Sequence, residues 1–135
     1  MMEYVTDTHP LLWNLFTPKL LGRAAFAAFR AVDRGQAKLY VPAIVVSEMV
    51  MVIEKGRIPN TTMQDLLDEI SLLELSPQHE LLPLMPTTAV ASRVLTAIPD
   101  IFDRLIMMEA HQRGLPLITR DAVIRGSGLV NVVWD

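Results

Sequence analysis

The chain opens with a short apolar strand that leads directly into a carboxylate and then into a helix. The strand covers residues 3–6, Asp7 follows it at once, and an apolar helix start follows at residues 11–13. In open α/β sheets, ligands collect outside the carboxyl ends of the strands, beside the point where the strand order reverses. Asp7 is therefore the first candidate for a functional residue.

The alternation of strands and helices continues along the chain. Hydrophobic spacing, caps and breakers predict strands at 38–41, 115–119 and 130–134, and helices at 19–34, 43–53, from a capping box at 61–65 to about 73, at 88–97, and from the segment 99–104 to about 112. Such an alternation implies βαβ units with right-handed crossovers. The predicted fold class is α/β, a three-layer α/β/α sandwich with a central parallel sheet. The length of 135 residues fits one domain over residues 1–135.

Composition excludes several classes of protein. The chain has no cysteine, which argues against a disulfide framework or a thiolate metal site and suits a reducing cytoplasm. No segment approaches the roughly 20 apolar residues that span a bilayer, and acids stand where a secretory signal carries basic residues. The net charge of -3 argues against a long basic surface for non-specific nucleic-acid binding. We therefore expect a soluble protein.

Carboxylates in three of the predicted loops and helix starts are candidates for chemistry. Asp7 and Asp121 each follow a predicted strand, and Asp103 lies in the first turn of a predicted helix. Each also has an ordinary structural explanation. Asp7 and Asp121 suit turns or helix N-caps, and Asp103 suits the third position of a helix capped by Asp100. Taken singly, none of them establishes a site.

Glu48 is harder to explain by local structure. It lies in the run 43–53, which is apolar nearly all round, and no lysine or arginine lies one helical turn away. We expect this carboxylate to be buried, which costs several kcal/mol unless the charge is paired or bound to a cation. Its partner must be remote in sequence, and a metal ion shared with Asp7 is one candidate.

Convergence of these four acids would favour a particular chemistry. Mutual repulsion would raise their pKa values unless a divalent cation neutralised them. Hard oxygen ligands without a histidine or cysteine cluster select Mg²⁺ or Mn²⁺ over zinc. Such a site activates water and stabilises charge on a phosphoryl group. The residues therefore favour cleavage of phosphodiesters.

Four short segments carry the candidate residues in a recognisable order: Asp7-Thr8-His9 with Leu11-Leu12-Trp13, Ser47-Glu48, Phe102-Asp103-Arg104-Leu105-Ile106, and residues 115–121. Together they resemble the PIN-domain nucleases, and especially the VapC-like toxins of type II toxin-antitoxin pairs. The resemblance covers essentially the whole chain, including the helix and strand between Asp103 and Asp121.

The resemblance implies an Mg²⁺-dependent (or Mn²⁺-dependent) endoribonuclease with a catalytic, metal-binding quartet of Asp7, Glu48, Asp103 and Asp121. Glu48 would either ligate the metal directly or orient the attacking water. Supporting roles are expected for hydroxyl residues that hold the carboxylates, namely Thr8, Ser47 and Thr119. His9 could also hold a carboxylate, although a structural role in the turn suits it better. Arg104 and Arg120 are expected to hold RNA phosphates, unless Arg104 instead pairs with an acid and braces the fold.

The chain departs from the family pattern before Asp103. Family members often have a histidine shortly before Asp-Pro-Phe-Asp-Arg, whereas residues 97–104 read Ala-Ile-Pro-Asp-Ile-Phe-Asp-Arg. The histidine is missing and the proline is displaced. Asp100 is then either an additional ligand or a helix cap.

Partners follow from the resemblance and from apolar surface. The resemblance implies an antitoxin protein and a homodimer. The near-continuous apolar helix 44–53, which includes Met49 and Met51, and the Met107-Met108 pair exceed what one core-facing stripe requires, unless neighbouring helices cover them within the monomer.

Two other functions stay open. One is a catalytically degenerate PIN fold that serves as a protein-interaction module, against which the presence of all four acids argues. The other is a metal-dependent phosphatase, which usually needs a covalent nucleophile or a phosphate-cradling glycine loop. The segment 126–128 does not lie between a strand and a following helix, so it does not suit that loop.

Overall fold

A five-stranded, all-parallel sheet forms the centre of the computed structural model, which describes residues 1–135. Its strands are β1 (Met2–Thr6), β2 (Ala37–Pro42), β3 (His79–Leu82), β4 (Leu117–Ile118) and β5 (Val132–Val133). The helices are α1 (Thr8–Phe16), α2 (Arg23–Asp33), α3 (Ala43–Glu54), α4 (Met63–Leu75), α5 (Pro86–Ala91), α6 (Ile101–Arg113) and α7 (Ala122–Ser127). None of them is both long and apolar enough to cross a lipid bilayer.

The order of the strands sets the position of the candidate site. Within the sheet the order is β3-β2-β1-β4-β5, so the chain adds strands on one side of β1 and then returns to add β4 and β5 on the other. Val5 pairs with both Tyr40 of β2 and Leu117 of β4. The order therefore reverses at β1, and a crevice is expected outside the carboxyl ends of β1 and β4. The predicted α/β fold class with a central parallel sheet is confirmed.

The core explains why α3 is apolar nearly all round. α3 packs against α1, α4, α6 and β2, and Val45 and Met49 are fully buried. Met107 and Met108 of α6 are also buried, at 0% and 3% exposure. The expectation that this pair adds exposed apolar surface is therefore wrong, because the monomer itself covers it. Met51 of α3 does remain exposed.

Several predicted boundaries differ from the structure. The helix expected at 88–97 begins at Pro86 and ends at Ala91, where a single 3-10 turn replaces it and the Ser92 hydroxyl donates to the Ala89 carbonyl at 2.6 Å. The strand expected at 115–119 is shorter in the structure, where β4 covers only Leu117–Ile118. β3 was not predicted, because its polar residues His79 and Glu80 mask an edge strand that pairs with β2.

The helix expected at 19–34 begins only at Arg23. Gly22 precedes it as the N-cap residue and lies close to Trp134 near the C-terminus. A Cβ atom at Gly22 would lie 2.3 Å from the Trp134 carbonyl oxygen, so only glycine fits. The Ala25 amide then donates to that same oxygen at 3.0 Å. This contact ties the C-terminal segment to the start of α2.

Candidate active site

A cavity of about 530 Å³ lies at the carboxyl ends of β1 and β4. The four acids that the sequence singled out all line it. The complete lining is Asp7, Thr8, His9, Pro10, Trp13, Glu48, Asp103, Arg120 and Asp121. The fold thus brings together acids that are up to 114 positions apart in the sequence. Their catalytic and metal-binding roles stay predictions.

Asp7 is fixed on both of its carboxylate oxygens. It is the N-cap residue of α1, where Oδ1 accepts the Thr8 amide at 2.8 Å, and Oδ2 accepts the Thr119 hydroxyl at 2.7 Å. Burial raises the pKa of Asp7, and these two hydrogen bonds act in the opposite direction. The carboxylate is therefore held in one orientation by groups that favour its charged form.

Thr119 connects the two acids that follow strands. It is fully buried, and its hydroxyl donates to Asp7 and accepts the backbone amide of Asp121 at 3.1 Å. Asp121 in turn caps α7 by accepting the Ile124 amide at 3.0 Å. One hydroxyl therefore orients both acids across the β1-β4 junction.

Replacement of Thr119 by Val is expected to lower the free energy of unfolding at neutral pH by about 1.5–3 kcal/mol. The change keeps the shape but removes a donor to a buried carboxylate, and hydrogen bonds to charged groups contribute about that much. Chemical denaturation monitored by circular dichroism measures the loss. Thr119→Ser is the matched control, because it keeps the hydroxyl. Equal stability of the Val variant and the wild type would show that this hydroxyl does not support Asp7.

Glu48 lies on α3 facing the cavity. The prediction was a carboxylate buried among apolar side chains, whereas Glu48 is only half-buried. Its partner is remote, as expected, but it is a hydroxyl: Thr8 Oγ1 donates to Glu48 Oε1 at 2.6 Å. Burial raises the pKa of Glu48, the Thr8 hydrogen bond lowers it, and the nearby charges of Asp7 and Asp100 raise it.

Asp103 shows most clearly that the acids converge. It is the third residue of α6, and Asp100 caps that helix by accepting the amides of Phe102 at 2.8 Å and Asp103 at 3.1 Å. Burial is the largest of the causes that together raise the pKa of Asp103 from 3.8 to about 7, and the others are the charges of four neighbouring carboxylates: Asp7, Asp100, Asp121 and Glu48. Asp103 therefore lies close enough to the other acids for their charges to disfavour its charged form.

Comparison with known proteins identifies the family. The family model described as PIN domain matches residues 4–126. The chain belongs to the PIN-domain family. PIN domains are generally nucleases that act on phosphodiester bonds, and they typically use divalent metals. No curated protein sequence matches this chain significantly.

Solved structures share the fold of this PIN domain at low sequence identity. VapBC2 from Rickettsia felis, bound to a DNA fragment from its promoter, gives a TM-score of 0.71 at 14% identity over 99% of this chain and 100% of that one. DNA-bound VapBC from Salmonella typhimurium gives 0.66 at 14% identity over 98% and 97%. FitAcB from Neisseria gonorrhoeae gives 0.63 at 18% identity over 96% of each chain.

The supporting residues predicted for this PIN domain divide into two groups. Thr8 and Arg120 line the cavity, and Thr119 is fully buried outside the lining, but both threonines donate hydrogen bonds directly to the acids. Ser47 is exposed and lies outside the cavity lining, so the expectation that it holds a carboxylate is wrong. Arg104 also lies outside the lining, and its Nε donates to the Ile98 carbonyl at 2.6 Å. Arg104 therefore braces the loop before α6, and its contact with RNA stays a prediction.

The sequence assigned no substrate contact to the aromatic side chains at the cavity. His9 and Trp13 both line it, and their ring centroids are 5.5 Å apart. The signal was present in the sequence, because residues four apart on a helix share a face, and α1 starts directly after Asp7. Arg120 lies over the Trp13 ring, with its Cζ atom 5.6 Å from the centroid.

The donor set of the cavity fits an oxygen-seeking divalent cation. All four acids offer carboxylate oxygens, and the pKa values of Asp7, Glu48 and Asp103 are raised first by burial and then by neighbouring carboxylates. No three acids or histidines stand close enough to form a ready-made ligand group. The acids therefore share one cavity without forming a closed cluster.

Proposed function

We propose that this PIN domain, over residues 1–135, is an Mg²⁺-dependent or Mn²⁺-dependent endoribonuclease. The observation that carries the proposal is the convergence of four carboxylates on one cavity where the strand order reverses. Nuclease activity is general among PIN domains, which supports phosphodiester cleavage. RNA as the substrate comes from the VapC-like resemblance of the acidic segments.

The residues of the cavity suit distinct tasks. Asp7, Asp103 and Asp121 would hold a divalent cation, which when bound would neutralise their charge and activate water beside the phosphate. Glu48 would ligate it or orient the attacking water. Thr8 keeps Glu48 in place, and Thr119 keeps Asp7 in place, through their hydroxyl groups.

Arg120 is suited to contact a phosphate of the substrate. It is exposed, lines the cavity and forms no ion pair within the chain. A guanidinium group that is free of protein carboxylates can donate two hydrogen bonds to one phosphate. We therefore assign to Arg120 the substrate contact that the sequence assigned to both Arg104 and Arg120.

We further propose that the protein is the toxin of a toxin-antitoxin pair in the cytoplasm. The structural likeness to VapBC and FitAcB supports an antitoxin partner. Exposed apolar side chains offer surface for it and for a second copy of the chain: Met51, Leu67, Leu72, Leu75, Val90 and Val94. A neighbouring short reading frame that encodes a DNA-binding protein would support this part of the proposal.

Incubation of the purified protein with single-stranded RNA tests the proposed activity directly. We expect cleavage with millimolar Mg²⁺ or Mn²⁺ and none after chelation with EDTA. RNA that remains intact with either metal, in a protein that is folded by circular dichroism, would refute the nuclease proposal. Cleavage that persists in EDTA would refute the metal requirement.

Metal binding is expected to raise the melting temperature of the wild type. Metal at roughly ten times its dissociation constant should stabilise the folded state by about 1.4 kcal/mol. Glu48→Gln should reduce this response, because the amide still accepts the Thr8 hydroxyl but offers no charge. Glu54→Gln is the matched control, since Glu54 is exposed at the end of the same helix. A wild-type melting temperature that does not respond to metal would argue against a shared cation site.

A further inference from the structure

His9 and Trp13 form an aromatic face beside the acids, here called the aromatic wall. Both residues line the cavity, although His9 is exposed and Trp13 is half-buried. Their rings are tilted by 51° at a centroid distance of 5.5 Å. A metal-dependent hydrolytic centre needs carboxylates and water, so its chemistry does not account for an indole ring in the lining.

We propose that the aromatic wall is a nucleobase subsite, which stacks one unpaired base of a single-stranded RNA next to the phosphate at the acids. The inference rests on the proposed function, because it names the form of substrate that the same cavity accepts. Aromatic faces bind unstacked bases of single strands with little dependence on sequence.

The aromatic wall is held in place from behind. Trp134 packs against Trp13 at a centroid distance of 5.8 Å, and it is itself buried. The Trp134 backbone is fixed by the Ala25 amide and by the absence of a side chain at Gly22. A rigid ring loses little conformational freedom on binding, so more of the stacking energy contributes to affinity.

Charge at the cavity makes a stacking contribution necessary. Four carboxylates and a single arginine line it, and the whole chain has a net charge of -3. Phosphate contacts supply most of the affinity of basic nucleic-acid binders, but Arg120 is the only cationic side chain among the lining residues. Arg120 lies over the Trp13 ring, with its Cζ atom 5.6 Å from the centroid, so a base that stacks on this ring would displace the guanidinium. The displaced guanidinium would then bind the phosphate of the same nucleotide.

The shape of the site favours an unpaired base. A cavity of about 530 Å³ lies in the range of pockets that take one small ligand, and a nucleotide fits that range. A base inside a duplex is already stacked on both faces and must be extruded at a cost of a few kcal/mol before it can reach a protein ring. Single strands and loops avoid this cost.

A comparison of nucleoside monophosphates with ribose 5-phosphate distinguishes the contribution of the base to affinity from that of the phosphate. We expect AMP and UMP, in the presence of Mg²⁺, to quench the fluorescence of Trp13 in a Trp134→Phe background, where Trp13 is the sole tryptophan. Ribose 5-phosphate should compete with RNA cleavage roughly tenfold more weakly than the nucleotides, since stacking of one base contributes about that factor or more. Equal competition by the three compounds, or nucleotides that leave Trp13 fluorescence unchanged, would overturn the subsite.

Substitutions at Trp13 provide a second readout. Trp13→Leu should raise KM for single-stranded RNA roughly tenfold and lower kcat by a smaller factor, whereas Trp13→Phe should restore most of the affinity. Phe26→Leu is the matched control, because Phe26 is an exposed ring beneath Arg30 on α2, outside the cavity. KM values that are equal for the Leu and Phe variants would contradict stacking.

The outcomes separate this inference from the proposed function. If the wild type cleaves RNA but nucleotides compete no better than ribose 5-phosphate, the nuclease proposal stands and the subsite proposal fails. If the wild type cleaves no RNA, the nuclease fails, and the fluorescence measurement still decides whether the aromatic wall binds nucleotides. If Trp13→Leu does not fold, the Trp134→Phe measurement decides in the same way.

Discussion

Replacing Asp7 by Asn is expected to lower RNA cleavage by more than roughly 100-fold while the protein stays folded. Loss of a residue that only supports a metal ligand costs about 10 to 100-fold, and loss of a charged ligand should exceed that range. The fold should persist because Asn is as good an N-cap as Asp, so its amide oxygen can still accept the Thr8 amide. The Thr119 hydroxyl can accept from the new amide group instead of donating.

Cleavage assays in Mg²⁺, combined with circular dichroism and thermal unfolding, measure both parts of this expectation. Without metal, the Asn variant should be at least as stable as the wild type near pH 7, because burial penalises the charged form of Asp7. Asp68→Asn serves as the control, since it removes one charge from an exposed position on α4. Metal-dependent cleavage by the Asp7 variant at the wild-type rate would rule out the proposed site.

The placement of the acids that follow strands could be predicted because it depends on local signals. A short apolar strand, an acid and a helix start occur at Asp7 and again at Asp121, and parallel strands place such positions at one edge of the sheet. The capping box at Thr62 and Asp65 and the cap at Asp100 were likewise readable from spacing alone.

The surroundings of Glu48 could not be predicted, because they depend on how two distant helices pack. The apolar run around it suggested a buried charge in need of a cation, but α1 brings the Thr8 hydroxyl to its carboxylate across 40 positions of sequence. The same packing turns Ser47 outward, although it is the neighbour of Glu48. Sequence indicated which residue types were present, and only the contact between α1 and α3 decided their partners.

The aromatic wall illustrates a different gap. Trp13 belongs to the apolar run that starts a helix, so burial in the core alone is enough to explain an aromatic residue at this position. In the structure its ring is shared between the core, through Trp134, and the cavity. A residue that serves both leaves no sign in hydrophobic spacing, since either role alone gives the same pattern.

Asp103→Asn is expected to stabilise the metal-free protein, and the gain should grow with pH. The pKa of this carboxyl is about 7 in the folded state and 3.8 ordinarily, so between these values the folded state binds more protons than the unfolded state. Stability of the wild type therefore falls as pH rises from about 4 to about 7 through this group, and the loss is complete above that window. Asparagine stays neutral throughout, so it avoids the loss.

The expected difference between the Asn variant and the wild type is about 2–4 kcal/mol at pH 8 and close to zero at pH 4, since each pKa unit corresponds to about 1.4 kcal/mol and solvent screening of this half-buried group reduces the total. Loss of an acid from the first turn of α6 offsets at most about 1 kcal/mol of this gain, so the sign holds. Denaturant titrations at several pH values in EDTA measure the difference, and contributions common to both proteins, such as the lowered pKa of His79, cancel. Glu54→Gln controls for the change in net charge. A difference that is constant across pH would show that Asp103 is not held among the other acids, whereas a difference that shrinks on addition of Mg²⁺ would show that a cation relieves the same repulsion.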